Sequence, residues 1–245
     1  MASRLLPIAC LGSLSGCAVY SPTVPSTPLV QKGQVELAAS MRTLLSLDGS
    51  VAYSPINCFL ISGEGAIRQT GGNKVVNGMK TGFTDTHRQV SSGVGAYQEF
   101  GANRSLYAAA VGGVGVAAAN VHYGLLGSLS EYTANYTRYY GQLYMAQRGQ
   151  LISGGASLRA TWLSFNSLLF DHTPIAPVAR LYFEPSFFLR AGKGALQTQL
   201  TVGISVPART GSNYDAKYLS ARSSLVSLGL VFQPALLKKR GDAAQ

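Results

Sequence analysis

Three histidines, His87, His122 and His172, are the side chains best suited to acid–base or nucleophilic chemistry. Asp85 lies two residues before His87 and Asp171 directly precedes His172, so each aspartate could orient an imidazole as a general base. No spacing singles out a nucleophile that would complete such a pair, and the dispersed histidines do not form a metal-ligand motif. We therefore predict no catalytic residue, no metal site and no cofactor.

Cys17 carries a different kind of chemical signal, a site for covalent lipid. It follows Leu14, Ser15 and Gly16, after a short apolar stretch that begins near Arg4. This resembles the lipobox of bacterial lipoproteins, which implies a signal peptide over residues 1–16 and acyl chains on Cys17. Residue 18 is alanine, not the aspartate that retains such lipoproteins in the inner membrane. An ordinary signal peptide with an incidental cysteine is the alternative.

The residues after Cys17 indicate an extended linker. Pro22, Pro25 and Pro28 fall within residues 17–33, and closely spaced prolines favour a semi-rigid extended chain. We expect this segment to act as a tether that holds the folded part of the chain a short way from its lipid anchor.

The elements that follow the tether must be strands. In residues 195–206, aliphatic residues and Thr198 share one parity, while small or polar residues occupy the other, a pattern that a strand keeps and a helix does not. The chain is 47% hydrophobic and only 12% charged, yet it has no apolar run long enough for a transmembrane helix. This combination favours strands with one face toward lipid and one toward a packed interior.

The alternation predicts an all-β, antiparallel, up-and-down transmembrane β-barrel over residues 34–233, followed by a basic tail at 234–245. We predict about ten strands, with eight as the alternative. The predicted strands are 34–43, 48–54, 59–69, 88–100, 105–116, 136–147, 156–166, 180–190, 195–206 and 223–233. Long loops are predicted at 70–87, 117–135, 168–179 and 207–221, whereas most connections at the opposite end are short. That asymmetry is typical of outer-membrane barrels.

Charged residues fall on the polar parity of several strands and are therefore predicted to point into the lumen. Buried charges persist only when they are paired and hydrogen-bonded, so we predict a cross-linked network that fills the barrel; a narrow, charge-selective pore is the alternative. The predicted network consists of Glu36, Arg42, Glu64, Arg68, Glu99, Arg138, Arg159, Glu184 and Arg190.

Aromatic residues gather near the two predicted rims and resemble membrane-interface girdles. At one rim they are Tyr123, Tyr132, Tyr136, Tyr139, Tyr140, Tyr214 and Tyr218; at the other they are Tyr53, Phe59 and Phe100. Ordinary cross-strand packing would also explain them.

Several short motifs together resemble a largely uncharacterised family of small lipid-anchored outer-membrane β-barrel proteins of Gram-negative bacteria. They are Leu14–Cys17, Tyr20 with the Pro22–Pro28 tether, Gly33–Leu37, Ala52–Pro55, Asn135–Tyr140 and Phe183–Pro185. The resemblance implies a barrel at an outer-membrane address and no catalytic residues.

The formal net charge is +10, but the basic residues do not form a nucleic-acid patch. We expect outer-membrane lipid and lipopolysaccharide as partners, covalent acyl chains on Cys17, no nucleic acid, and protein partners that the sequence does not name. The expected role is structural or surface interaction. A small transport or ligand-binding barrel is the alternative, and an outer-membrane lipid-modifying enzyme is less favoured.

Overall fold

Ten antiparallel strands and one short extra strand form a closed sheet in the computed structural model, which describes residues 19–42, 46–76, 79–125, 128–175, 179–208 and 223–237. The strands are β1 (Val35–Arg42), β2 (Ser46–Tyr53), β3 (Phe59–Val76), β4 (Met79–Phe100), β5 (Leu106–Leu125), β6 (Ser128–Gln147), β7 (Ile152–Phe170), β8 (Thr173–Pro174), β9 (Arg180–Ala191), β10 (Leu196–Pro207) and β11 (Ser223–Phe232). The prediction of an all-β barrel with ten strands, rather than eight, is confirmed.

Each barrel strand pairs with its neighbour in chain order, and β1 pairs with β11 to close the ring. The short strand β8 pairs only with the end of β7, so β7 continues the wall by pairing with β9. All of these pairings are antiparallel, as an up-and-down barrel requires. Within the described part of the chain, no helix has the length and apolar character needed to cross a membrane.

The two faces of the wall differ sharply in polarity. On β10 the aliphatic side chains of Leu196, Leu200, Val202 and Ile204 point outward and are exposed, whereas Thr201 points inward and is buried. The same alternation places large apolar side chains on the outside of every barrel strand. We call this outward surface the apolar belt; examples around the ring are Met41, Leu47, Ile67, Val90, Val116, Leu143, Leu158, Phe187 and Leu228.

Two of the predicted long loops are wrong because the strands continue through them. β3 and β4 stay paired from Phe59–Ala96 out to Val76–Met79, across the predicted loop 70–87. β5 and β6 likewise stay paired to Leu125–Ser128, across the predicted loop 117–135. Main-chain pairing needs no apolar alternation, so strands can extend where the side-chain pattern has become polar.

The other two predicted loops are described only in part. β7 extends to Phe170 and β8 follows within the predicted loop 168–179, of which residues 176–178 lie outside the described residues. In the predicted loop 207–221, Pro207 still belongs to β10, and residues 209–222 lie outside the described residues.

The barrel therefore has two unlike ends. We call the end reached by the β3–β4 and β5–β6 hairpins the long-hairpin end. The opposite end, where residues 54–58, 101–105, 148–151 and 192–195 connect successive strands, is the short-turn end. The sequence predicted long loops at one end and short connections at the other. The two ends do differ, but paired strands that extend beyond the rest of the wall produce the difference where β3–β6 were predicted to be joined by long loops.

Residues 19–32, which we call the lumen segment, run inside the barrel. Val19 and Tyr20 pack with Tyr136, Phe165 and residues near them toward the long-hairpin end. Leu29 and Val30 pack with Tyr107, Tyr144 and residues near them toward the short-turn end. At Gly33 the φ angle is +75°, a conformation that favours glycine, and the chain reverses there into β1. The expectation of an external tether is therefore wrong for these residues, although the segment is extended as predicted.

The tyrosines of β6 also differ from prediction. Tyr132, Tyr136 and Tyr140 point into the lumen and are buried, whereas Tyr139 faces outward. Tyr132, Tyr136 and Tyr140 share the parity of Arg138, so alternation along the strand turns these three side chains inward with it. At the short-turn end, Tyr53 and Phe100 face outward as expected of a girdle, and Phe59 is partly buried. The side chain of Tyr123 and all of Tyr214 and Tyr218 lie outside the described residues.

Candidate functional site

The lumen is the candidate site, because it gathers nearly all the buried charge of the described chain around the lumen segment. The segment makes no sheet pairing of its own, yet its backbone is hydrogen-bonded by side chains of the wall. A buried backbone group without a partner would cost about as much as a lost hydrogen bond. The wall therefore satisfies the segment much as a neighbouring strand would.

Backbone carbonyl groups of the lumen segment accept hydrogen bonds from long polar side chains. Arginine supplies several donors in a rigid fork and has no acceptor, which suits it to this task. The bonds run from Arg42 to Pro22, from Arg190 to Thr27 (2.7 Å), from Arg148 to Leu29 (2.8 Å), from Gln89 to Ser21 (3.0 Å), from Gln142 to Ser26 (2.7 Å) and from Tyr144 to Pro28 (2.8 Å).

Backbone N–H groups of the same segment donate to carboxylates of the wall. The bonds run from Val24 to Asp48 (3.2 Å), from Ser26 to Glu64 (3.1 Å) and from Leu29 to Glu36 (3.1 Å). Acids therefore meet the donors of the segment and arginines meet its acceptors. The proline residues have no N–H to satisfy, which reduces the number of donors that the lumen must accommodate.

Glu36 and Arg190 form the most regular ion pair in the lumen. Nη1 and Nη2 of Arg190 donate to the two carboxylate oxygens at 2.9 and 2.8 Å, a bidentate geometry. Gln233 donates to Oε2 of Glu36 at 2.7 Å, and Arg190 Nε donates to Gln199 at 2.7 Å. Both charged side chains are almost fully buried, so this pair links β1, β9, β10 and the end of β11 across the lumen.

A second charged cluster surrounds Thr23. Arg159 donates to Glu64, and Arg138 lies with Nη2 3.9 Å from the other oxygen of that carboxylate. Nη1 of each arginine also donates to the Thr23 hydroxyl, at 2.9 Å from Arg138 and 3.0 Å from Arg159. Both guanidinium groups lie over the ring of Tyr140, within cation–π distance. One threonine of the lumen segment thus bridges two fully buried cations.

Glu184 is buried without an arginine among its described hydrogen-bond partners. It accepts hydrogen bonds from the hydroxyl groups of Tyr20 (2.7 Å), Thr161 (3.1 Å) and Ser205 (3.1 Å). Hydrogen bonds to a charged oxygen are stronger than those between neutral groups. The predicted position of Glu184 in the lumen agrees with the structure, but its partners are hydroxyls instead of a guanidinium.

The remaining predicted charges lie nearer the two ends, with partners that the sequence analysis did not name. Arg42 lies 3.9 Å from Asp48, and Arg68 lies 3.0 Å from Asp85. At the short-turn end, Glu99 accepts hydrogen bonds from Arg148 and from Gln31 of the lumen segment. The nine predicted charges therefore line one continuous interior, but the lumen segment connects them as much as their mutual pairing does.

Sequence reasoning missed the lumen segment and four polar wall residues that serve it: Asp48, Gln89, Gln142 and Arg148. Asp48, Gln89 and Gln142 share the inward parity of their strands and could have been added on that basis, whereas Arg148 lies directly after β6. The segment itself carries no charged residue from 19 to 31 and no alternation. A proline-rich backbone offers carbonyl acceptors to an arginine-rich lumen, and that complementarity is the signal that was available.

Little space remains inside the barrel around the lumen segment. A Cβ added at Gly113 would lie 2.4 Å from Cζ of Tyr140, and one at Gly93 would lie 2.5 Å from the Tyr140 hydroxyl oxygen. Only glycine therefore admits the Tyr140 side chain against the wall at these positions. A cavity of about 30 Å³ lies between residues 23–27 and the wall, which suffices for one or two water molecules but no larger solute.

The three histidines do not converge on one site. His87 is buried in the lumen, with Nε2 2.6 Å from Oδ1 of Asp85, but this contact lacks hydrogen-bond geometry, and neither ring nitrogen has a hydrogen-bond partner among the described atoms. His122 and His172 instead flank Glu131 near the long-hairpin end, at 3.4 and 3.8 Å. Asp171 accepts from the backbone N–H of Glu131 at 2.7 Å and does not pair with His172 as the sequence suggested.

Among the residues that the structure describes, no group of three or more histidine, cysteine, aspartate or glutamate side chains is arranged to hold a metal ion. Cys58 is a free, exposed thiol at the short-turn end. Cys17 lies outside the described residues.

Neither the protein-family models nor the curated proteins compared with this sequence give a match.

Proposed function

We propose that this chain is an outer-membrane β-barrel lipoprotein that fills its own lumen and acts through its surface, in a structural or surface-interaction role. The observation that carries the proposal is the inverted polarity of the wall. Arg138, Arg159 and Glu184 are fully buried inside, while Leu143 and Phe187 are among the most exposed residues outside. Soluble monomers rarely expose contiguous apolar patches larger than a few hundred Å², so a lipid environment accounts for this wall better than water.

The limits of the apolar belt support the same proposal. Toward the long-hairpin end, outward positions change from apolar to polar on successive strands. The exposed polar positions there include Gln69, Arg88, Asn135 and Asn166. In outer-membrane barrels the lipid-facing band is about 25 Å tall and the longer connections lie on the outer side. The long hairpins would then extend beyond the membrane as the surface available to partners.

The filled lumen supports a closed barrel over a transport barrel. The lumen segment occupies the interior along its length, and the cavity of about 30 Å³ beside it has room for no more than one or two water molecules. A transport or ligand-binding role would require the segment to leave. A lipid-modifying enzyme would require a nucleophile and a base, and the ion-pair partner of His87 among the described residues is Asp85, which pairs in turn with Arg68. We therefore favour a non-enzymatic role.

The proposed partners are outer-membrane lipid and lipopolysaccharide, with acyl chains attached to Cys17. Scattered exposed cations such as Arg88 and Arg104 suit anionic headgroups and phosphates. The family resemblance to lipid-anchored barrels supports the same localisation, and the absence of a clustered basic face argues against nucleic acid. Substituting Cys17→Ala should abolish incorporation of labelled palmitate, and persistent labelling would refute the anchor.

The membrane proposal has a matched pair of test variants. Leu143→Arg places a charge on the exposed apolar belt, and Asn135→Arg places the same charge at an exposed position beyond it. If the belt faces lipid, Leu143→Arg should destabilise the barrel in vesicles by up to about 2–4 kcal/mol, and Asn135→Arg by much less. In a water-soluble barrel both exposed substitutions would be nearly neutral. Equal small effects, or recovery of the native chain in the soluble fraction, would overturn the proposal.

Conductance in planar bilayers tests whether the lumen is closed. The full chain should show no steady openings, because the lumen segment excludes all but a few waters. A variant lacking residues 19–32 is the informative comparison, since it alone would expose a continuous polar interior. Steady, large openings of the full chain would refute the closed barrel and favour the pore alternative.

A further inference from the structure

The lumen segment has a direction, and that direction decides where the N-terminal end of the mature chain emerges. Tyr20 donates to Glu184, and its ring contacts Tyr136 edge-to-face and Tyr182 at a tilt, all toward the long-hairpin end. Leu29 contacts Glu36 through its N–H, next to the start of β1 at the short-turn end. The chain therefore enters the barrel at the long-hairpin end, crosses the whole lumen and turns back at Gly33.

The segment is fixed in this direction along its length. Thr23 lies between Arg138 and Arg159, Ser26 meets Glu64, and Thr27 meets Arg190. Each contact pairs successive residues of the segment with wall positions successively closer to the short turns. A reversed or displaced segment would leave these buried charges without the partners that compensate their desolvation.

Residues 17 and 18 cannot carry the N-terminal end back to the other side. Two residues of extended chain span at most about 7 Å, whereas the lumen segment in extended form advances about 3 Å per residue over its whole length. Val19 is itself buried among Tyr132, Ala134 and Leu168. Whatever group is attached at Cys17 must therefore lie at the end of the barrel where Val19 lies.

We propose that Cys17 and its acyl chains emerge at the long-hairpin end, on the opposite side of the barrel from the short turns, and insert into the adjacent leaflet. This rests on the proposed function for the membrane and the lipid, but the side of emergence rests on the contacts of residues 19–32 alone. In an outer-membrane barrel the leaflet next to the long hairpins is the outer one. The lipid would then anchor the protein at the cell surface after the chain has passed through its own barrel.

A protease-cleavable epitope tests the side of emergence. We would insert it between Cys17 and Ala18, beginning with alanine so that the residue after the cysteine is unchanged. The same insert between Lys193 and Gly194 marks the short-turn end, and one within the connection between Pro207 and Ser223 marks the other end. Protease is then added to intact cells and to permeabilised cells.

The expected result is that the N-terminal tag is lost from intact cells together with the tag between β10 and β11, while the tag at Lys193 is lost only after permeabilisation. An N-terminal tag that, like the tag at Lys193, is lost only after permeabilisation would overturn the inference. Recovery of untagged protein outside the membrane fraction would instead refute the proposed function. The two failures are therefore distinguishable.

Energy transfer within the refolded full chain covers the case in which the N-terminal insert prevents assembly. A Cys17→Ala variant that begins at residue 17 would carry one dye on its terminal amine and a second on Cys58, the exposed thiol at the short-turn end. Emergence at the long-hairpin end places the dyes at opposite ends of the barrel and gives low transfer. High transfer, with both labels on the same side, would overturn the inference.

Discussion

The middle and the two ends of the lumen segment are held by different forces. Residues 22–28 lie among buried arginines and glutamates, and hydrogen bonds to charged side chains hold Pro22, Thr23, Val24, Ser26 and Thr27. The side chains of Val19 and Tyr20 at one end, and of Leu29 and Val30 at the other, pack into aliphatic and aromatic clusters. Hydrogen bonds to charged groups are also made there, by the Tyr20 hydroxyl and by the backbone of Leu29. Apolar burial is non-directional, whereas buried ion pairs impose geometry and penalise errors. We infer that apolar packing at the two ends stabilises the lumen segment, whereas the polar contacts of the middle fix its position along the barrel axis.

The largest expected loss of stability comes from a substitution beside the middle of the lumen segment. Arg159→Leu removes a fully buried guanidinium that donates to Glu64, Gln142 and Thr23. Because the carboxylate stays buried with less compensation, we expect a loss of about 3–5 kcal/mol in the free energy of unfolding. Urea titration in vesicles would measure it. Arg88→Leu, at an exposed outward position, is the matched control, and an equal cost for both variants would contradict a register-setting middle.

The apolar end should be less sensitive. Leu29→Ala removes a buried side chain from the cluster with Tyr107 and Tyr144, but it leaves no charge unpaired. We expect a loss of about 2–3 kcal/mol, the usual cost of such a truncation where surrounding groups relax in part. Leu237→Ala, at an exposed position after β11, should cost little. A larger loss at Leu29 than at Arg159 would reverse the comparison.

Packing between the two regions is tested at the glycines of β5. Gly113→Ala would force Tyr140 away from the wall and from the two arginines it covers, because the new Cβ would lie 2.4 Å from its ring. We expect a destabilisation of about 2 kcal/mol from this overpacking. Gly112→Ala faces outward, with its nearest neighbouring atom 3.9 Å away, and should be tolerated. Thermal unfolding midpoints that match for the two variants would show that the lumen repacks freely.

The smallest expected loss of stability comes from removing a single hydroxyl group, that of Thr23. Thr23→Val keeps the shape of the side chain but removes the oxygen that accepts from Arg138 and Arg159. Because Arg159 keeps Glu64 and Gln142 and Arg138 keeps Gln89, we expect a loss of about 1.5 kcal/mol, the low end of the range for a hydrogen bond to a charged group. Thr23→Ser retains the acceptor and should restore most of the stability. Equal free energies of unfolding for the valine and serine variants would show that the Thr23 hydroxyl does not stabilise the network.

Much of the wall could be predicted because alternation is a local property. Residues 195–206 differ from β10 (Leu196–Pro207) by one residue at each end, and the inward parity of β1, β3, β6 and β9 identifies Glu36, Glu64, Arg138 and Arg190. Prediction failed where the outward face of the strands is no longer apolar, as in the outer parts of β3 to β6. There the backbone pairing persists, and in β5 and β6 the buried apolar residues lie on the inward face instead.

The sequence by itself determined where most of the wall strands lie and which charges share a face, because both follow from a two-residue period along the chain. Only the tertiary structure decided what fills the lumen. Residues 19–31 of the lumen segment have neither alternation nor charge, and their hydrogen bonds join residues far apart in the chain, such as Thr23 with Arg138 and Thr27 with Arg190. These residues come into contact only after the barrel has closed, so no local sequence pattern could predict the contacts.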